Sequence, residues 1–440
     1  MKMLAAIYSL VHGAAFFDFC KPPDNGVRFM KSLLKDDPEI AAMVDREAQR
    51  IEDTIDLIAA ENHPPRSILE VLGSVLHLKT IEGYPGKRFH AGCAWVDQIE
   101  AMAISRAKAL FGAEHANVQP LSGTAANLAV YFSVLRPGDR ILSMGLAHGG
   151  HLSHGHRASI TGKCFSFKHY AVDSRTERID YGRVRRLALD FRPKMIVAGA
   201  SSYPRLIEYD KMAAIAKEVD AVLLADMAHL AGLVAARVIP SPVPHCDFVT
   251  FTCYKTMAGC RGGVILARQP YARKIDAAVF PGCQGTSPVD QIAAKAVIFK
   301  MATTNDYIHQ QQETVRNAAR LSAQLARQGY RSVSGGTDNH QVLLDLTAAG
   351  LDGATAESAL EAAGIIANRN VIPRDADDPG ATSGLRLGTA AVTARGMGED
   401  EMARLAALIG GVLKHPADEK RIWAIGAEVK AFARQFPVYA

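Results

Sequence analysis

A mostly parallel α/β sheet covered by helices, followed by a small C-terminal α+β domain, is the fold class this sequence predicts. Between about residues 100 and 265, helical stretches alternate with short apolar runs at 195–200, 221–225 and 249–252, the pattern of parallel strands joined by crossover helices. After a long helical stretch at about 288–328 the order becomes strand (342–346), helix (355–363), strand (364–367), then residues 384–388 and a further helix. With 440 residues, 48% of them hydrophobic, the chain can bury a core large enough for two or three domains. They are read as an N-terminal extension and helix (1–45), a large domain (46–305) and a small one (306–440).

The formal charge of +5 is spread along the chain, which favours small anionic ligands and argues against nucleic acid. Seven scattered cysteines without a Cys-x-x-Cys pair suggest reduced, cytoplasmic thiols rather than a disulfide framework or a structural zinc site. Residues 4–17 are apolar but contain His12 and precede charge, so 1–29 is read as an extension in front of Met30 rather than a secretory signal. An acidic amphipathic helix is expected over 31–51. No stretch reaches the ~18 apolar residues of a membrane span, and no internal repeat is evident.

Each apolar run ends in polar residues: Ser201 and Ser202, then Asp226, then Lys255. Ligands of open α/β sheets sit at the carboxyl ends of the strands, so these positions should converge. Asp226 precedes Lys255 by about thirty residues with another strand between. An aldehyde cofactor needs an amine for its imine, and its pyridine nitrogen needs a buried carboxylate to stay protonated; this pair offers both. Alone, the pair could equally be an incidental strand-end acid and an exposed lysine.

Ser122-Gly123-Thr124 before an apolar helix offers backbone amides and two hydroxyls to a phosphate, although an ordinary serine cap would read the same. From Lys255 to Gly263 the lysine precedes the glycines, the reverse of a P-loop, so a nucleotide loop is discarded. The tract from His148 through His151 and His154 to His156 is open to three readings: a metal site, a solvated loop, or an imidazole stacked on a flat cofactor ring. No carboxylate or cysteine set accompanies it, so no metal is expected.

Several runs are more specific. Glu82-Gly83-Tyr84-Pro85-Gly86-Lys87-Arg88, Ala147-His148-Gly149-Gly150-His151-Leu152, Asp226-Met227-Ala228-His229, Ser334-Gly335-Gly336-Thr337-Asp338-Asn339-His340 and Ser383-Gly384-Leu385-Arg386-Leu387-Gly388-Thr389 resemble serine hydroxymethyltransferases, in order from about residue 35 to Ala440. The resemblance implies a fold-type I pyridoxal 5′-phosphate (PLP) enzyme with a seven-stranded sheet in its large domain. It further implies a homodimer or dimer of dimers with shared active sites, acting on an amino acid and tetrahydrofolate.

It also implies roles by position. Lys255 resembles the Schiff-base lysine, Asp226 the partner of the pyridine nitrogen and His151 the ring-stacking histidine. Ser122, Gly123 and Thr124 resemble the phosphate cup, with Gly285 reaching in from the other subunit. Ser201 and His229 look like the partners of the phenolic oxygen, and Arg386 like the carboxylate fork. Glu82 matches the carboxylate that handles the substrate hydroxyl proton. Thr252 and Tyr254, flanking the lysine, join the catalytic group; Leu146, Gly150, Leu152 and Asn370 lie where the family holds tetrahydrofolate.

Departures gather near the substrate. Ala60 stands in place of a serine, Thr80 of a tyrosine, His90 of the second tyrosine of a pair, and Tyr254 of the histidine before the lysine. Cys283 and Thr286 interrupt a glycine-rich turn, and Ala390 replaces a proline. Exchanging Tyr for Thr at position 80 opens space, which favours an altered amino acid such as 2-methylserine, converted to alanine, over ordinary serine and glycine. A folate-independent α-methylserine or threonine-type aldolase or transaldolase is the alternative; a silent PLP-binding protein is disfavoured by intact Lys255, Asp226, Glu82 and Arg386.

Overall fold

The computed structural model describes residues 31–378 and 380–439, so the extension read over 1–29 lies outside the described residues. The described residues fall into two compact units that divide between Arg50 and Ile51.

The single helix expected over 31–51 is two helices, Lys31–Asp36 and α1 (Pro38–Asp53). Pro38 disfavours helical backbone at the residue before it, which ends the first helix. The Asp37 carboxylate then accepts the Ile40 amide at 3.0 Å and starts the second.

The second unit is built on a seven-stranded sheet of β1 (His115–Asn117), β2 (Arg140–Met144), β3 (Ser166–Tyr170), β4 (Met195–Gly199), β5 (Val222–Asp226), β6 (Phe248–Thr252) and β7 (Gly263–Ala267). Their order is β1-β7-β6-β5-β4-β2-β3, and only β7 runs antiparallel to its neighbours. The mostly parallel sheet predicted from the alternating pattern is present. Helices cover both faces, so strands such as β4 are buried at every position and read as continuous apolar runs. Alternation across β7 shows the two layers: Val264 and Leu266 join one apolar cluster, Ile265 and Ala267 the other.

The flanking helices used below are α2 (Ala94–Phe111), α3 (Gly123–Val134), α4 (Val289–Met301) and α5 (Asn305–Arg327). The last two replace the one long helix expected over 288–328. Thr303 and Thr304 donate their hydroxyls back to the carbonyls of Lys300 and Met301, and Thr304 caps α5 by accepting the Tyr307 amide.

A smaller antiparallel sheet contains β8 (Arg331–Ser332), β9 (Gln341–Asp345), β10 (Asn368–Asn370) and β11 (Gly384–Gly388), in the order β8-β9-β11-β10. The strand expected over 364–367 divides. Ile365–Ile366 pairs in parallel with Ile55–Asp56, burying Ile365 against Ile55 in a separate core, while residues 368–370 continue as β10 beside β11. Among the described residues, no helix is long and apolar enough to cross a membrane.

Candidate active site

Three parallel strands deliver the polar residues that the sequence marked. The register places Gly199 opposite Asp226 and Asp226 opposite Thr250, so the ends of β4, β5 and β6 are adjacent. A side chain at position 199 would put Cβ 2.5 Å from the Asp226 carbonyl; only glycine permits this approach. A pocket of about 90 Å³ opens there, lined by Ser122, Gly123, Thr124, His151, Ala200, Ser201, Asp226, Ala228, His229, Thr252, Tyr254 and Lys255. A roomier cleft of about 700 Å³ beside Ile104, Lys108 and His115 holds none of the candidate site residues.

Asp226 is held from three sides. Its Oδ2 accepts from Asn127 Nδ2 at 2.8 Å and lies 3.0 Å from His154 Nε2, and its Oδ1 accepts the Ala228 amide at 3.1 Å. Asn127 is oriented in turn by the Thr250 hydroxyl, which donates to its Oδ1 at 2.6 Å. Burial by itself would raise this carboxyl; His154, with help from His151 and Asn127, outweighs burial and holds it well below the usual carboxylate range. The carboxylate is therefore ionised over the physiological range.

Lys255 follows β6 and is buried. Burial, with the positive charges of Arg386 and Arg261, pushes its amine down to about 8 against the opposing pull of Asp226. About a tenth of it is thus neutral and nucleophilic at pH 7, far more than for an ordinary lysine. Tyr254 forms a wall beside it, with Lys255 Nζ 5.9 Å and the Arg261 guanidinium 4.2 Å from its ring centroid.

The Ser122 hydroxyl caps α3 by accepting the Ala125 amide at 3.0 Å. The first amides of α3 have no partner within the helix, and the Ser122 O–H remains able to donate, so this end of the pocket suits an anion. Gly123 packs tightly here: a Cβ on it would come within 2.9 Å of Thr252 Cγ2.

His151 Nδ1 accepts the Ser153 amide at 3.1 Å, and burial lowers its imidazole to about 4, leaving a neutral ring in the pocket wall. His154, three residues on, turns instead to Asp226. His229 is buried, stacks on His340 with centroids 5.7 Å apart, and its Nδ1 has no partner among the described residues. Such an orphaned polar atom calls for a ligand.

Arg386 on β11 donates to the Ser201 carbonyl at 2.8 Å and to Asn368 Oδ1 at 3.1 Å but pairs with no acid among the described residues. Burial lowers it to about 10, so it is a charged fork ready for a carboxylate. Asn370 donates to the Ser202 hydroxyl at 3.2 Å. Leu146 and Leu152 are both exposed, and a Cβ on Gly150 would meet the Met144 carbonyl at 2.2 Å.

Thr80, Glu82, His90 and Gly285 do not line this pocket. Thr80 and His90 are exposed, and Glu82 Oε1 lies 3.8 Å from where a Cβ on Gly285 would sit. Thr286 ties the two segments by accepting the Ile81 amide on its hydroxyl at 2.8 Å. Ala60 adjoins Ala59, whose carbonyl lies 3.1 Å from His340 Nε2. Ala60, Arg386, Leu146, Gly150, Leu152 and Asn370 likewise stand outside the lining of the pocket.

Sequence reasoning missed Asn127, His154 and Thr250 as the holders of Asp226. The three-residue spacing of His151 and His154 was visible, but which imidazole faced the acid was not. A family model described as serine hydroxymethyltransferase matches residues 33–409 of the chain.

Proposed function

Because this chain belongs to the serine hydroxymethyltransferase family, whose members are PLP-dependent enzymes that use tetrahydrofolate as co-substrate, we propose that it moves a one-carbon unit between 2-methylserine and tetrahydrofolate, leaving alanine. The donor set of the pocket fits PLP. Ser122, Gly123 and Thr124 would take the phosphate, Asp226 the protonated pyridine nitrogen, Lys255 the aldehyde carbon, and Ser201 with the orphaned His229 Nδ1 the phenolic oxygen, with His151 against the ring. Bound PLP supplies an imine to the amino acid and an electron sink for the pair left when Cα–Cβ breaks.

The chain's own residues do the rest. Arg386 binds the substrate carboxylate, and Asp226, kept ionised by His154, holds the pyridine proton in place. Glu82 takes the hydroxyl proton as the one-carbon unit leaves. Leu146, Gly150, Leu152 and Asn370 would hold tetrahydrofolate next to it.

We place Thr80, Glu82, His90 and Gly285 in a neighbouring subunit's site, within a homodimer or dimer of dimers. Large apolar side chains support this: Val75, Leu78, Phe89 and Trp95 are all more than three-quarters exposed around that segment. The scattered free thiols support a reducing, cytoplasmic setting.

The observation that carries the α-methyl preference is Thr80, two residues before Glu82, whose side chain is much smaller than the tyrosine the family resemblance leads one to expect there. His90 reshapes the same wall, and Ala60 removes a polar contact. One methyl in an apolar pocket is worth about 1–3 kcal/mol, on the order of 10- to 200-fold in kcat/KM, so residual serine activity is expected. Thr80→Tyr should impair 2-methylserine far more than serine, since overpacking costs roughly 1–3 kcal/mol. Comparing kcat/KM for both substrates in the two proteins decides it. A wild type that favours serine, or a variant that depresses both substrates alike, identifies an ordinary serine/glycine enzyme.

A further inference from the structure

Lys295, in the middle of α4, takes no part in the chemistry above, yet it is 1% exposed. Its ammonium donates to three backbone carbonyls: Val118 at 2.6 Å, Gly263 at 2.9 Å and Pro120 at 3.3 Å. No carboxylate pairs with it among the described residues. Glu100, an acid near enough to act on it, is already bound by Arg88 and Gln119, and its other titratable neighbours are the thiols of Cys253 and Cys260. Burying a cation on carbonyls alone is costly, and such a group calls for a compensating charge.

The three carbonyls share one location. Val118 and Pro120 lie on the segment that enters α3 at Ser122-Gly123-Thr124. Gly263 presses against the same place: a Cβ on it would sit 2.3 Å from the Ser122 carbonyl, and its amide donates to the Pro120 carbonyl at 2.8 Å. Gly262, with φ +117°, leaves room for the lysine, since a Cβ there would come within 2.8 Å of Nζ. Gln284 and Ser287 both donate to the intervening Gln119 carbonyl at 2.9 Å, and Gln284 also donates to the Ser287 hydroxyl at 2.8 Å. The approach to the helix N-terminus is thus fixed from behind by a buried positive charge and two neutral donors.

We propose that Lys295 is a positioning residue for the cofactor phosphate: it fixes the backbone that presents the Gly123 and Thr124 amides and places behind them the positive charge that the phosphate dianion balances. This rests on the reading that Ser122-Gly123-Thr124 takes the phosphate. The charge does not touch the ligand; it acts through the loop and through the low dielectric of the core.

The test separates phosphate recognition from general support of the fold. Dissociation constants of the apoprotein for pyridoxal 5′-phosphate and for pyridoxal, which lacks the phosphate, are measured by titration of the visible band. In Lys295→Met the phosphate-bearing form should weaken by about tenfold or more and pyridoxal by less than about twofold, so their ratio falls. If Lys295→Met does not fold, Lys295→Gln, which keeps donors for the carbonyls but no charge, carries the same comparison. Equal weakening of both ligands, or none, overturns the proposal and leaves Lys295 a structural staple. Ser122→Ala checks the premise: if it leaves the wild-type ratio unchanged, the phosphate does not sit on this loop, and the proposal falls with that reading.

Discussion

Lys255→Ala should abolish the visible band of lysine-bound cofactor and reduce hydroxymethyl transfer on the order of 10³-fold or more, because among the described residues no other lysine lines the pocket. An unchanged spectrum in the variant would remove Lys255 from its assigned place. The same lysine makes a pH prediction for the apoprotein. Burial lowers its amine from 10.5 to about 8, so between those values the unfolded chain binds more protons than the folded one, and stability rises with pH through that window. Below about pH 8 both states are protonated and the burial cost, roughly 3 kcal/mol, is fully present. Lys255→Met, which keeps most of the volume, should therefore be more stable than the wild type at pH 7, with the gain fading toward pH 10. Denaturant midpoints at the two pH values measure it; a constant difference contradicts the depressed amine.

Glu82→Gln should lose about 10²- to 10⁴-fold of folate-dependent transfer while the cofactor band survives, the range expected for removing a positioned acid–base group. The amide has nearly the shape of the carboxylate but cannot take the hydroxyl proton. Rates measured with and without tetrahydrofolate give the second half of the result. In the wild type, transfer should rise strongly when folate is added. Equal rates would make the protein an aldolase, and a variant as active as the wild type would move the proton step to another group.

Much of the site was legible because strand ends are legible. Apolar runs closing on Asp226 and Lys255 implied convergence, and the structure places the two residues at the ends of β5 and β6, strands that are consecutive in sequence and paired in the sheet. Helix boundaries were less so. The break at residues 302–304 depends on threonine hydroxyls returning to carbonyls one turn back, which hydrophobic periodicity does not report. The division of the strand at 364–367 depends on a partner more than 300 positions away, Ile55.

Fold class, the Asp226 and Lys255 pair and the anion-ready start of α3 were written in the sequence by itself, since period, strand-end polarity and capping are local properties of the chain. Tertiary structure alone decided which groups tune them. His154 rather than His151 faces Asp226, Arg261 stacks on Tyr254, and Lys295 reaches carbonyls that lie 32 to 177 positions away. The first and last of these cross large sequence separations, and all of them turn on side-chain direction and burial. A carboxyl held low, a lysine held near 8 and a guanidinium with no acid partner among the described residues arise only where distant segments exclude water around them together.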